Sequence, residues 1–247
     1  MLRSFKKSIQ RLGRRLGVDV RPFEPNSSDV ARLQAVIESQ GIDLVLDVGA
    51  NFGTYAESLR SGGYRGRVVC FEPLSDAHAH LQKLARRDPL LVVAPRAAIG
   101  AEEGETEINV SKNMMSSSLL PMCPLHLETC PESIYVGRER VRVTRLDAAA
   151  PEYIGASSRV LLKADTQGYE VYVVEGARGI LSRVRVLQLE LSLAPLYDGE
   201  IGFFDMVQKL KGMDYELFSL IPAFTDARNG RMLALDAIFI RADRIDA

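Results

Sequence analysis

At 247 residues, 47% apolar and 26% charged, the chain is long enough for one α/β domain with insertions and has a globular rather than a disordered make-up. No apolar run approaches the ~18 residues that span a bilayer, and a net charge of −1 removes any global electrostatic case for nucleic acid. Cys70, Cys123 and Cys130 give no disulfide framework and no zinc pattern, so a reducing, cytoplasmic location is expected, with Cys70 a small core residue.

Charge is concentrated at the start. Residues 1–21 carry Arg3, Lys6, Lys7, Arg11, Arg14, Arg15 and Arg21 against Asp19, a segment of +6 that leaves −7 elsewhere. Phe5, Ile9, Leu12 and Leu16 recur at helical spacing, so the segment reads as a basic amphipathic helix. Two readings stand: a solvated helix beside the domain, or weak peripheral contact with an anionic membrane surface through residues 1–21. The run lacks the continuous apolar core of a secretory signal. Arg21 to Ser28, with two prolines, is a linker. This divides the chain into a basic N-terminal helix and linker, 1–28, and a main domain, 29–247.

Asp29 is placed as the N-cap of a helix whose stripe is Val30, Leu33, Val36 and Ile37. Leu44–Asp47 is a buried strand, 54–59 a helix closed by Gly62-Gly63, 68–71 a second strand, 76–87 a helix and 90–94 a third strand. Residues 101–143 break the rhythm. T-E-I-N-V and V-R-V-T alternate like half-exposed strands around M-M-S-S-S-L-L-P-M-C-P, which predicts a β insertion with a mobile loop near the ligand. Alternation resumes with a strand at 160–163, a helix at 170–181, a strand at 184–191 and a helix at 203–212. Residues 215–220 and 234–240 form a terminal hairpin-like pair around Asn229-Gly230. The fold class is α/β: a Rossmann-like, mostly parallel sheet with helices on both faces and an antiparallel edge strand.

The run I-D-L-V-L-D-V-G-A-N-F-G-T-Y-A (42–56), followed by V-V-C-F-E-P (68–73), is a nucleoside-binding arrangement. Glycines let the backbone approach the ligand, and an acid after the second strand takes ribose hydroxyls. Two ligand classes compete. A dinucleotide site wants G-x-G-x-x-G, whereas Gly49 and Gly53 are spaced G-x-x-x-G. Asp47, directly before the loop, would repel a pyrophosphate. It suits an ammonium and a sulfonium, which S-adenosylmethionine carries together.

The sequence D-V-G-A-N-F-G-T-Y-A, then F-E-P, S-S-S-L-L, L-K-A-D-T-Q-G-Y-E-V-Y-V-V-E-G-A, L-E-L-S-L-A-P-L-Y-D-G and D-A-I-F-I-R resembles the FkbM family of S-adenosylmethionine-dependent methyltransferases over roughly residues 40–241. The first motif is shared by most class I methyltransferases. The block from Lys163 to Glu170 is more specific, and Ala164 stands there where a bulkier aliphatic is expected. The resemblance implies a seven-stranded class I fold and methyl transfer to oxygen, commonly a hydroxyl of a sugar, glycolipid or polyketide-type natural product. It implies a small-molecule or glycan acceptor and no nucleic acid; a homodimer is left open.

Asp47, Glu72, Asp165 and Glu190 all fall at the carboxyl ends of predicted strands, where open α/β sheets bind ligands. The expected cofactor contacts are Asp47, Gly49, Ala50, Asn51, Gly53 and Thr54 of the first loop. Glu72, Pro73, Ala98, Ser117 and Asp165 complete them. Asp165 is assigned to orient or deprotonate the acceptor hydroxyl, with Lys163 paired to it or to Glu190, and Glu190 a substrate contact or a support. Glu170 opens the next helix, where its charge suits the dipole. No metal site is assigned; a magnesium-assisted alternative would draw on Asp147, Asp165 and Glu190 as hard oxygen ligands. His78 and His80 are expected in solvent on a surface helix. The alternatives kept are a nucleic-acid methyltransferase, against which D-T-Q-G stands where N-P-P-Y is expected, and a non-catalytic S-adenosylmethionine-binding regulatory protein.

Overall fold

The computed structural model describes residues 2–245, with side chains from Ser8 onward. The expectations for the side chains of Arg3, Phe5, Lys6 and Lys7 lie outside the described residues. The elements run α1 (Leu2–Arg15), α2 (Asp29–Ser39), β1 (Leu44–Val48), α3 (Thr54–Ser61), β2 (Arg67–Phe71), α4 (Ser75–Ala85) and β3 (Leu91–Val93). Then come β4 (Ala98–Ile99), β5 (Gly104–Ser111), α5 (Pro124–Thr129), β6 (Tyr135–Thr144), α6 (Leu146–Ala149), β7 (Val160–Ala164) and α7 (Glu170–Gly176). The last are β8 (Val184–Ser192), α8 (Phe203–Lys211), β9 (Tyr215–Thr225) and β10 (Met232–Arg241).

Seven strands form one sheet in the order β3-β2-β1-β7-β8-β10-β9. The first five are parallel, and β10 runs antiparallel to both β8 and β9. The reversed strand therefore lies one place in from the edge, and β9 covers it. β1 is central and buried along its whole length, as a parallel strand with helices on both faces must be.

Period-two alternation divides each strand between two cores. Leu44, Leu46 and Val48 of β1 and Val160, Leu162 and Ala164 of β7 point into one. Val45, Leu161, Val186 and Ile238 point into the other, beneath α2 and α3. On this second face the same alternation leads from Val45 to Asp47, from Leu161 to Lys163, and from Val186 to Gln188 and Glu190. One face thus changes from apolar to polar along the strands, and the site sits where it changes.

Three expected boundaries shift for local reasons. Ser28, not Asp29, caps α2: its extended backbone lets the hydroxyl accept the Ala31 amide at 3.3 Å, and Asp29 pairs with Arg32 at 3.2 Å. α7 stops at Gly176 rather than 181, where Gly176 and Gly179 interrupt the helix formers. The insertion is a three-stranded sheet, β4-β6-β5, because Ala98–Ile99 adds in parallel to β6 beside the expected antiparallel pair. No described helix is long and apolar enough to cross a membrane.

Candidate active site

The loop after β1 turns on three left-handed residues, Gly49 (φ 79°), Asn51 (φ 47°) and Gly53 (φ 85°). A Cβ on Gly49 would sit 2.0 Å from the Asp165 carbonyl oxygen, so only glycine lets this loop cross the end of β7. The Gly49 and Ala50 amides donate to the Phe71 carbonyl at 3.0 and 3.2 Å, tying the loop to the end of β2. One residue further, Glu72 accepts the Asn51 amide at 2.7 Å and the Leu74 amide at 2.8 Å. Burial pushes this carboxyl up to about 7, even though both amides favour its charge.

These groups open on a cavity of about 630 Å³. Gly49, Ala50, Asn51, Thr54, Glu72 and Pro73 line it, with Ala98, Ser117 and Asp165. Asp47 and Gly53 do not. Asp47 is fully buried beneath the floor, and Gly53 backs the loop against Leu84. Asp47 is linked to the cavity lining through Lys163 at 3.5 Å.

Register builds the floor. Asp47 on β1 is level with Lys163 on β7, and Lys163 with Gln188 on β8. Two residues on, Asp165 follows β7, while Glu190 on β8 is level with Asp236 on β10. One face therefore carries an inner row of Asp47, Lys163 and Gln188 and an outer row of Asp165, Glu190 and Asp236. The Lys163 ammonium lies 3.5 Å from Asp47, 3.2 Å from Asp165 and 4.9 Å from the Tyr55 ring centroid. It pairs with Asp165, as expected, and with Asp47 rather than Glu190. Burial works against its charge, but Asp165 and Asp47 outweigh that and hold it above the ordinary lysine range. Tyr55 donates to Gln188 at 2.7 Å, closing the inner row.

The outer row is organised by Gln167 (φ 56°). Its amide nitrogen donates to Asp165 at 2.8 Å and also to Glu190, and its carbonyl accepts the Tyr197 hydroxyl at 2.7 Å. Burial pushes Asp165 up, yet Lys163 and the bonds from Glu190 and Gln167 hold it below the usual carboxylate range. Burial and the Asp165 charge push Glu190 well above that range. The two shifts run in opposite directions, so of this pair Asp165 is the carboxyl that favours its charged form. Asp236 is raised to about 6, chiefly by burial. Below them, Glu170 opens α7 and accepts the Thr166 amide at 2.6 Å; burial raises it to about 8. It therefore acts as a buried hydrogen-bond acceptor for the turn and not as a helix-end charge.

The insertion loop differs from the mobile element expected. Ser116, Ser117 and Ser118 are buried. Ser117 accepts the Ser111 amide at 3.0 Å and donates to the Met114 carbonyl at 2.9 Å, while Ser118 donates to the Gln167 carbonyl at 2.7 Å. These hydroxyls satisfy the loop's own backbone and fasten it to the turn carrying Gln167. His78 is also held, with Nε2 2.9 Å from the Ala94 carbonyl. Asp147 is paired with Arg145 at 2.6 Å, accepts the Gly179 amide at 3.0 Å and does not line the cavity, so the Asp147, Asp165 and Glu190 set is not assembled. Among the described residues no cluster of three or more metal-ligating side chains occurs.

Gln167, Tyr197, Asp236 and Tyr55 have no role in the sequence reading, although each lies within a quoted motif. Lys163 is the only Lys or Arg among the described cavity-lining residues, against Glu72, Asp165, Glu190 and Asp236.

Residues 47–217 match the family model described as Methyltransferase FkbM domain. No curated protein matches the chain significantly. Methyltransferase FkbM from Methylobacillus flagellatus KT superposes with a TM-score of 0.51 at 16% identity, over 79% of this chain and 43% of that one. TehB from Haemophilus influenzae gives 0.48 at 12%, over 86% and 61%. Magnesium protoporphyrin IX methyltransferase from Synechocystis PCC 6803, with bound S-adenosylmethionine, gives 0.44 at 10%, over 86% and 77%. The chain thus spans less than two thirds of the first two structures, and at such identities the likeness is one of fold.

Proposed function

This chain belongs to the FkbM methyltransferase family, and we propose on that basis that it is an O-methyltransferase acting on a sugar, glycolipid or polyketide-type hydroxyl. The methyl donor of the family is S-adenosylmethionine, and the residues present fit it. The Gly49 to Thr54 loop supplies a close backbone approach, and Glu72 turns a buried carboxylate to the same cavity for ribose hydroxyls. A cavity lined by four acids, with its one cation already ion-paired, suits a ligand bearing sulfonium and ammonium charge. When bound, that donor supplies an electrophilic methyl group.

The remaining chemistry falls to the chain. Asp165, held charged by Lys163 and oriented by Gln167, accepts the proton of the acceptor hydroxyl. Glu190, whose carboxyl is raised by burial and the Asp165 charge, stands beside it at the wall as a second contact for the acceptor. Lys163 does not reach the acceptor in this assignment; it fixes the charge and direction of Asp165. Asp236 and Ser192 extend the polar wall, giving adjacent hydroxyls of a polyol several acceptors. The same wall repels phosphate and carboxylate, which favours a neutral or cationic acceptor over a nucleic acid. The free thiols fit a cytoplasmic setting.

The observation that carries this reading is Asp165 at the cavity wall, ion-paired to Lys163 at 3.2 Å and bridged by Gln167 to Glu190. Asp165→Asn preserves shape and removes the base, so turnover should fall by roughly 10²–10⁴ with S-adenosylmethionine affinity nearly unchanged. Full turnover with retained cofactor binding would sink the base assignment.

A further inference from the structure

The first helix carries a surface that the methyl-transfer site does not use. In α1, Ile9 and Leu12, with Leu16 just beyond, recur at i, i+3 and i+7 and so share one face, while Arg11, Arg14 and Arg15 lie between them on the other. The helix closes on Gly17 (φ 75°), with the Val18 amide donating back to the Gly13 carbonyl at 2.8 Å. A firm stop of this kind defines a short amphipathic element with a set length.

Its apolar face is uncovered. Ile9 is 40% exposed, Leu12 60%, Leu16 73% and, in the segment that follows, Phe23 65%. None of these side chains joins any of the four hydrophobic clusters of the domain. A 14-residue helix without packing is marginal in water, so a covering surface is what would hold it formed. The charge pattern selects that surface. Residues 1–21 sum to +6 while the rest of the chain sums to −7. A second copy laid on the same face would bring Arg11, Arg14 and Arg15 against their equivalents. A polyanion such as nucleic acid would satisfy the arginines and leave Ile9, Leu12, Leu16 and Phe23 in water. An anionic bilayer satisfies both faces at once: acyl chains take the apolar stripe, and headgroups take the guanidiniums.

From this we infer that α1 and the segment through Phe23 form an interfacial anchor that lies in the surface of an anionic lipid bilayer. The anchor does not insert across it, since the helix is too short to span. The acidic remainder of the chain is repelled by the same surface, which orients the domain outward with α1 toward the lipid.

The test is co-sedimentation of the full chain with vesicles of phosphatidylcholine containing about a third phosphatidylglycerol, against phosphatidylcholine alone. Binding should require the anionic lipid and fall as salt rises from about 0.1 M to about 1 M. Leu12→Asp, which charges the stripe, should abolish it, and Arg11→Glu with Arg14→Glu should weaken it roughly 25-fold or more. Both variants lie outside the hydrophobic cores, so an unchanged melting temperature is the control that the domain is folded. Three outcomes overturn the inference. They are no binding to anionic vesicles, binding unaltered in both variants, or a solution dimer of the wild type that Leu12→Asp dissociates, which would give the stripe to a second copy.

Discussion

Lys163→Met is the sharpest test of how the cavity floor is held. Asp47 is completely buried, neither of its carboxylate oxygens has a hydrogen-bond partner, and Lys163 at 3.5 Å is its only ion-pair partner among the described residues. Methionine keeps most of the stem and removes the charge. Removing one partner of a buried pair typically costs about 3–5 kcal/mol, a large share of the roughly 5–15 kcal/mol that holds a domain folded. Urea titration should show that loss at neutral pH. Asp47→Asn in the same chain removes the stranded charge and should return at least about 2 kcal/mol of it, leaving the cost of an unpaired amide. Acid should also help the single variant. Burial already raises Asp47 above its ordinary range, and with the ammonium gone a raised carboxyl adds stability below its unfolded pKa and loses it as pH rises through the folded one. A single variant within about 1 kcal/mol of wild type, or a double variant no better than the single, would show that Lys163 does not neutralise a buried Asp47 charge.

Gly49→Ala should destabilise by at least about 2 kcal/mol, because the left-handed backbone and the Asp165 carbonyl 2.0 Å from the new Cβ both resist it; a thermal melt within a degree or two of wild type contradicts the crossing of these loops. Glu72→Ala should weaken S-adenosylmethionine binding roughly 10-fold to 100-fold by calorimetry, the worth of a charged hydrogen bond, and unchanged affinity would remove Glu72 from the ribose site. Glu170→Gln keeps the acceptor for the Thr166 amide but cannot titrate. The wild-type group is raised from 4.5 to about 8, so its contribution is full below pH 4.5 and is lost as pH rises through 8. Wild type should therefore lose stability relative to the variant across that window, by up to about 1.4 kcal/mol per unit, and parallel curves would show that Glu170 is not raised.

The parts of this fold legible in the sequence are those with local causes. Strands alternating with helices declare a parallel sheet, and the β1 loop declares itself by Gly49 and Gly53. The acids at strand ends are visible because a charge ending an apolar run has few other places to go. What is hidden depends on register between distant strands. Lys163 meets Asp47 only because β7 lies beside β1 with those two residues level. Asp236 joins Glu190 from a strand running the other way. Tyr197 comes from an irregular segment, lines the cavity and donates its hydroxyl to Gln167. The serine run is buried rather than mobile for a related reason. Its polarity signals a loop, but whether hydroxyls face water or buried amides is set by what packs above them.

Methyl transfer to oxygen from this cavity can be followed by isotope label. S-adenosylmethionine carrying a carbon-13 methyl group is incubated with the chain and a panel of neutral sugars, amino sugars and their glycosides, and the products are read by NMR. The expected product is a labelled methyl ether on a neutral or cationic polyol, formed by wild type and lost in Asp165→Asn. Label appearing instead on nitrogen or carbon, or transfer undiminished in Asp165→Asn, would contradict it.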